Sequence, residues 1–385
     1  MVFRKFLSYF EDPKYPSVGP HIRLLSLTGL WHQSNSKIEK VKLYLFYLTV
    51  AFFCSQYIRC LMKFDAESLT LILQYAPFHM GIVKSCCFQK DYKKWENVIF
   101  YVSSLERDQL LKKNEQSVEI TKYIKQSRRV TYFFWALAFF SNFSIFSEPY
   151  RKNHENEDGN KIYTQIFDGF IPYSSEAPGY YVSMAIQTVL GHIISAYVVA
   201  WDTLVVTIMI FFTGQLKVAR INCRNIIKNG EGHENIVSCH RHHTKLVKYQ
   251  KLFNELISQV MFVYLVVISV NLGVCIIQVA ELQDDITALI SSCQFVIACL
   301  IQLLLFYWHA NEVTTESVLV SYSTFESNWT EAPASVQKEV ALLGITTNKR
   351  LVFRAGPFNE MSLRTFIAIL RASYSFYTLL SNTNK

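Results

Sequence analysis

Apolar residues in this chain gather into long runs, separated by stretches where charged and turn-forming residues collect. The runs occupy 41–58, 68–88, 130–147, 180–212, 255–279, 286–309 and 361–380. A helix needs about 20 apolar residues to cross a bilayer core, so the pattern predicts seven spanning helices. Pro77 interrupts the second run, and Lys84 near its end is expected to snorkel to the interface. The fourth run is longer than a bilayer requires, so it must tilt or protrude. Leu, Ile, Val and Tyr at helical spacing between 89 and 129 predict that the second and third spans continue beyond the membrane as helices. The same holds for the basic stretch 213–254. The segment 148–179, with Pro172 and Pro178, is acidic and turn-rich and reads as a surface loop.

The last run has sides that differ. Thr365, Ala368, Ala372, Ser375 and Leu379 form one stripe at steps of three and four. Arg364, Arg371, Ser375 and Thr378 lie on the adjoining stripe, and Phe366, Ile369, Leu370, Phe376, Tyr377 and Leu380 cover the rest. Small residues suit close helix packing, whereas an intramembrane ionisable group such as Arg371 suits a water-filled path.

Composition supports a membrane class. Of 385 residues 51% are hydrophobic, with 29 Phe and 22 Tyr. The net charge of +8 matters less than its placement. If the N-terminus is cytosolic, the outer segments hold only Arg59, Lys63, Arg151, Lys152, Lys161 and Lys385 of the 38 Lys and Arg. The positive-inside rule then puts the N-terminus in the cytosol and the C-terminus outside. The fold expectation is an all-α polytopic membrane protein. Its parts are a cytosolic segment 1–40 lying along the interface, helices one to six over 41–309, a cytosolic anchor segment 310–357, and the seventh helix over 358–380. Inverted orientation disfavours an ordinary seven-helix G-protein receptor, as does the lack of an acid–Arg–aromatic triplet after span three or of an Asn-Pro pair in span seven.

Candidate chemistry is sparse. The nine cysteines form no CxxC pattern. Cys239, His240, Arg241, His242 and His243 lack zinc-finger spacing and read as a solvated loop rather than a metal site. Asn328-Trp329-Thr330 is a sequon placed in the cytosol, and Asn142-Phe143-Ser144 lies inside a span. His192 and Asp202 are the ionisable groups inside span four, without a second polar helix to make a hydrolase. No catalytic residue, cofactor or nucleic-acid partner is expected.

The C-terminal region carries an ordered series of short words: Ser321-Tyr322, Asn328-Trp329, Asn348-Lys349-Arg350, Arg354-Ala355-Gly356-Pro357-Phe358, Met361 to Phe366, and Ile369 to Leu380. This series resembles the insect odorant receptors, and the inverted seven-span plan resembles them along the whole chain. Pro357 departs from the family's polar residue after Ala-Gly. The resemblance implies a tetrameric ligand-gated cation channel in the plasma membrane of an olfactory neuron, with the last helix of each subunit lining a central pore. The chain's length implies a tuning subunit partnered with the odorant receptor co-receptor. Leu379 falls on the family's apolar gate, with Ser375, Thr378 and Arg371 as pore-wall or interface residues. The family places its pocket for small volatile odorants among the outer halves of spans two to six. Here those halves offer Leu71, Tyr75, Phe78, Phe139, Phe140, Phe143, Met184, Gln187, Thr188, Ser291 and Phe295. A gustatory-type homotetramer of the same superfamily, or a polytopic transporter or enzyme without a pore, is the alternative.

Overall fold

A computed structural model describes residues 8–34, 36–63, 66–112, 114–155, 161–163, 166, 178–227, 232–281 and 286–383. The order is α1 (Gly19–Leu27), α2 (Lys37–Lys63), α3 (Ala66–Lys90), α4 (Tyr92–Leu110), α5 (Glu115–Lys152), β1 (His154–Glu155), β2 (Lys161–Ile162), α6 (Gly179–Arg224), α7 (Gly232–Glu281) and α8 (Ile286–Thr324). A 3-10 turn (Trp329–Glu331), α9 (Ala334–Thr347), β3 (Arg354–Ala355), β4 (Asn359–Glu360) and α10 (Leu363–Thr383) follow. Every apolar run therefore lies on a helix. By length and composition, four stretches among the described residues are apolar enough to cross a membrane: Glu115–Ser147, Gly179–Arg224, Gly232–Ile276 and Ser292–Glu331.

The bundle is organised around α6, which packs against α8, α5, α3, α7 and α1. Between Tyr180 and Gln215 its only charged residue is Asp202. A helix that is apolar on all sides must be covered on all sides, and every α6 residue from Val199 to Leu216 is buried. Its 46 residues span about 69 Å at 1.5 Å per residue, well beyond a hydrocarbon core of about 30 Å. Gly81 of α3 makes this close packing possible, because a Cβ there would stand 2.4 Å from the Val198 side chain of α6.

Beyond the spans the helices continue as the spacing predicts, with a break. A turn at Asp91 separates α3 from α4. The α5 helix starts under Asn114, whose side chain accepts from the Ser117 N–H at 3.2 Å, and runs unbroken through span three. A connected set of rings locks this end: Trp95 of α4 lies 5.1 Å from Phe88, 6.2 Å from Trp201 and 5.9 Å from Phe253. Phe253 in turn meets Phe353 at 5.6 Å. Aromatic pairs at such spacing add about 0.5–1.5 kcal/mol each beyond burial.

The described part of the N-terminal segment docks on this end of the bundle. Val18, Ile22, Leu25 and Trp31 are buried. Arg128 of α5 donates to the Ser17 and Pro16 carbonyls at 2.9 and 2.6 Å. The stretch holding His240, Arg241, His242 and His243 is part of α7, not a loop, and His243 is buried. The polar segment after α8 contains an element the periodicity did not announce, the β3–β4 hairpin, with Arg354 opposite Glu360 and Ala355 opposite Asn359.

Candidate functional site

Where α3, α5, α6 and α8 meet there is a small cavity of about 80 Å³. Phe78, Phe134 and Phe295 supply aromatic wall, and Leu137, Ala138, Ile145, Val198, Val199 and Ala298 supply aliphatic wall. Its polar lining is Ser141, Asn142, Ser195 and Gln302. Among the described residues no charged side chain lines it. Asn142 donates to Ser195 Oγ, so the acceptor asparagine of the second sequon is engaged in a contact between α5 and α6. Hydroxyls on apolar helices usually bond a carbonyl one turn back, as Thr203 does to Val199 at 2.6 Å and Ser269 to Leu265 at 2.7 Å. Ser141 differs, as do Ser85 and Ser183: its Oγ is buried and has no hydrogen-bond partner among the described residues.

Directly beyond Gln302 sits an ion pair. Lys84 Nζ of α3 lies 2.6 Å from Asp202 Oδ1 of α6, and both side chains are buried. The Gln302 amide of α8 donates to the other Asp202 oxygen. The ammonium also faces the rings of Tyr264 at 4.2 Å, Trp201 at 5.2 Å and Phe306 at 5.7 Å. Lys84 thus does not snorkel, contrary to the sequence expectation. Its stem points into the bundle, where an opposite charge and three ring faces replace water. One pair therefore ties α3, α6, α7 and α8 at a single point, next to the cavity.

The terminal helix α10 packs on α7 and α8. Ile369 and Ser373 are turned inward, and Ser373 Oγ donates to the Ser269 carbonyl of α7 at 3.4 Å. The opposite flank is uncovered: Arg364, Ile367, Ala368, Arg371, Ala372, Tyr374 and Ser375 are exposed. A strap holds the Leu363 end. The N–H groups of Gly356 and Arg354 donate to the Ser258 carbonyl (2.9 Å) and Asn254 Oδ1 (2.8 Å) of α7. The Gln250 amide donates to the Val352 carbonyl at 2.9 Å. Gly356 adopts φ +73, and a Cβ there would meet the Phe262 ring at 2.8 Å. Glycine is required on both counts.

At the Arg224 end of α6 a second polar cluster is buried. Glu106 accepts from the Ser17 N–H at 3.0 Å and the Tyr123 hydroxyl at 3.1 Å. Gln215 exchanges bonds with Gln109 at 2.7 and 3.2 Å and lies 3.2 Å from His242 Nε2. Burial pushes the Glu106 carboxyl up to about 7, against the bonds from Ser17 and Tyr123. Burial and the nearby Arg128 hold His21 down at about 3. His242 is held at about 4, first by burial and then by His243 and Lys245.

Of the residues singled out from the sequence, Phe78 and Phe295 line the cavity. Met184 and Gln187 are buried towards the Gly179 end of α6, where Gln187 accepts from the Ile166 N–H at 3.1 Å. Thr188 stands beside them, half-buried. Phe139, Phe140 and Phe143 are exposed on the outward side of α5, at 61%, 61% and 70%. Arg371 and Ser375 are on the bare flank of α10, and Thr378 donates to the Ser375 carbonyl at 2.9 Å. Leu71, Tyr75, Ser291 and Leu379 have side chains outside the described residues. Sequence reasoning missed Ser141, Gln302 and the partner of Lys84. Among the described residues no group of His, Cys, Asp and Glu converges to hold a metal.

The sequence profile described as 7tm Odorant receptor matches residues 66–374. The chain is 25% identical over 213 residues to odorant receptor 10 of Aedes albopictus, covering 53% of this chain and 56% of that protein. It is 24% identical to odorant receptor 30a of Drosophila melanogaster, covering 54% and 55%. The chain thus spans about half the length of the curated relatives it matches. The structure of the insect olfactory receptor OR5 from Machilis hrabei, in complex with eugenol, superposes with a TM-score of 0.80 at 14% identity, covering 95% of this chain and 97% of that one. The same receptor's structure described without eugenol gives 0.79.

Proposed function

This chain belongs to the 7tm odorant receptor family as an all-α multi-pass membrane protein, and from that premise we propose that it is an odorant-binding subunit of a ligand-gated cation channel. The relatives it matches are odorant receptors, not enzymes. The bare flank of α10 carries the channel reading. Among the described residues, Ala368, Arg371, Ala372 and Ser375 are left exposed. A spanning helix with a slim, part-polar side left uncovered calls for neighbours of the same kind around an aqueous axis. In this reading α10 lines the pore, Leu379 closes it by dewetting, and Ser375 and Thr378 wet the wall. Arg371 sits at the wall or at the contact between subunits.

The subunits are the chain and the odorant receptor co-receptor, in a heterotetramer. Segment 310–357 joins them, and the exposed Leu342 and Ile345 suit that contact. Seven helices cross the plasma membrane of an olfactory neuron, with the N-terminus inside and the C-terminus outside. The small volatile ligand binds in the cavity between α3, α5, α6 and α8 against Phe78 and Phe295. Leu71, Tyr75, Met184, Gln187, Thr188 and Ser291 extend that site outward, while Phe139, Phe140 and Phe143 contact lipid. Ligand binds better to the arrangement in which α10 has moved off the axis, and that difference in affinity opens the pore.

Co-expression tests this. Cells carrying the chain and the co-receptor should give odorant-evoked cation current, and Leu379→Ser should raise the unliganded leak. Current from the chain alone would point to a homotetramer of the gustatory kind. Solute transport without conductance would overturn the channel reading.

A further inference from the structure

We propose that the outward flank of α5 binds a phospholipid of the cytosolic leaflet whose headgroup carries a phosphomonoester besides its glycerol phosphodiester, as phosphorylated phosphatidylinositols do. Lys125 and Arg129 hold the phosphates, and the ring-bearing flank next to them holds an acyl chain. The inference rests on the orientation read above, which puts the Glu115 end of α5 in the cytosol.

Three observations carry it. The first is an open groove of about 790 Å³ along α5, lined in part by Lys122, Lys125, Gln126 and Arg129. Among the described residues its charged lining is entirely basic. The second is that these cations are not spent within the chain. Arg128 is committed to Glu11 and to the Ser17 and Pro16 carbonyls. Lys125 and Arg129, in contrast, are exposed and make no ion pair with a described residue. Lys122 reaches Glu119 only at 3.7 Å, and its side chain is 73% exposed. Like charges three and four residues apart on one helix repel, so an anion laid across them removes a cost as well as adding an attraction. The hydroxyls of Ser117 and Thr121 already donate to the Asn114 and Ser117 carbonyls, which leaves the cations to define the chemistry. The third is continuity with the hydrocarbon-facing surface. Val118, Lys122, Lys125 and Arg129 are exposed at steps of four, three and four. The same line runs on through Phe133, Ala136, Phe140 and Phe143, all exposed, so one face passes from cations to rings where the apolar run begins. Rings with a small residue between them leave a slot for an acyl chain. Headgroup selectivity follows from the spread of charge. Lys122 and Arg129 lie seven residues apart, about 10.5 Å along the axis. Phosphatidylcholine and phosphatidylserine would bring an ammonium towards Lys122 and Lys125 once their phosphate met Arg129. A phosphomonoester brings an anion there instead, and clustered Lys and Arg next to a spanning helix favour such polyanionic headgroups.

The test uses the purified full chain in detergent, with native mass spectrometry reading bound lipid. The probes are dioleoyl phosphatidylcholine, phosphatidylserine and phosphatidylinositol bisphosphate, with soluble inositol trisphosphate as the headgroup lacking acyl chains. The bisphosphate lipid should bind about tenfold tighter than phosphatidylserine. Combining Lys125→Gln with Arg129→Gln should weaken it about thirtyfold and leave phosphatidylcholine unchanged. Lys248→Gln with Lys251→Gln removes the same charge from exposed positions on α7 and should change binding less than about twofold. An unaltered melting temperature without lipid shows that each variant is folded. Should the α5 double variant not fold, Lys125→Gln alone should weaken binding about fivefold. Equal binding of phosphatidylserine and the bisphosphate lipid, an equal loss in the α7 variant, or inositol trisphosphate binding as tightly as the lipid would overturn the proposal. Odorant-evoked current from a chain that shows no headgroup preference sinks this inference and leaves the channel reading standing. Selective lipid binding by a chain that never conducts does the reverse.

Discussion

The two ends of the central helix are packed in opposite ways. Towards Gly179, α6 alternates buried and open positions, and Tyr181, Val182, Ile186 and Val189 are exposed. From Ala200 to Leu216 no position is open, and rings and polar clusters close around it. The sparse end holds the cavity and an unmet hydroxyl. The dense end holds the Trp95 ring set, the Glu106 cluster and the strap. Ligand entry needs local freedom, and that freedom comes from regions with few buried contacts. A force passed to α10 needs a stiff partner, which close packing supplies. The Lys84–Asp202 pair stands at the border between the two.

The widest test of this contrast is the border itself. Lys84→Met or Asp202→Asn leaves one charge buried without its partner, and should cost about 3–5 kcal/mol. Thermal unfolding in detergent and surface yield measure it. Phe140→Ala on the exposed side of the sparse end should stay within about 0.5 kcal/mol. Equal losses at the two sites would erase the distinction. A smaller effect is expected at the strap. Gly356→Val forces a branched side chain to φ +73 against Phe262, a strain of about 1–3 kcal/mol. It should shrink evoked current at saturating ligand more than it shifts the half-maximal concentration, since the cavity is untouched.

The mildest test concerns pH at the dense end. Glu106 titrates in the folded chain at about 7 rather than 4.5. Its stabilising contribution is therefore complete below pH 4.5 and is lost as pH rises through 7. The melting temperature of the wild type should fall relative to Glu106→Gln between pH 5 and pH 8. His21, held at about 3, acts in the opposite direction as pH falls below 6.5, but equally in both proteins, so the difference isolates Glu106. A flat difference would show that the carboxyl is not buried as described.

Much of the fold was legible because bilayer-length apolar runs leave few other solutions, and all of them lie on helices. The aromatic triplet Phe139, Phe140 and Phe143 shows where legibility ends. In water, exposure of such rings is costly and composition reveals the inward face. A helix set in hydrocarbon can be apolar on both faces, so the sequence does not say which side meets the cavity. The partner of Lys84 was hidden for a different reason. It lies 118 positions away, and nothing local distinguishes a lysine that reaches for lipid headgroups from one that reaches for an aspartate. The β3–β4 hairpin has strands of two residues, too short for any alternation to show. Gly356 next to Pro357 was its one visible sign.

The strap fixes how far a small rearrangement can be magnified. With the Leu363 end pinned to α7, the 21 residues of α10 form a lever about 31 Å long whose fulcrum is the hairpin. A tilt of about 5° there carries the far tip about 3 Å, roughly the width of a water molecule. In the proposed channel, a displacement too slight to disturb the ring set would then decide whether the tip admits hydrated ions.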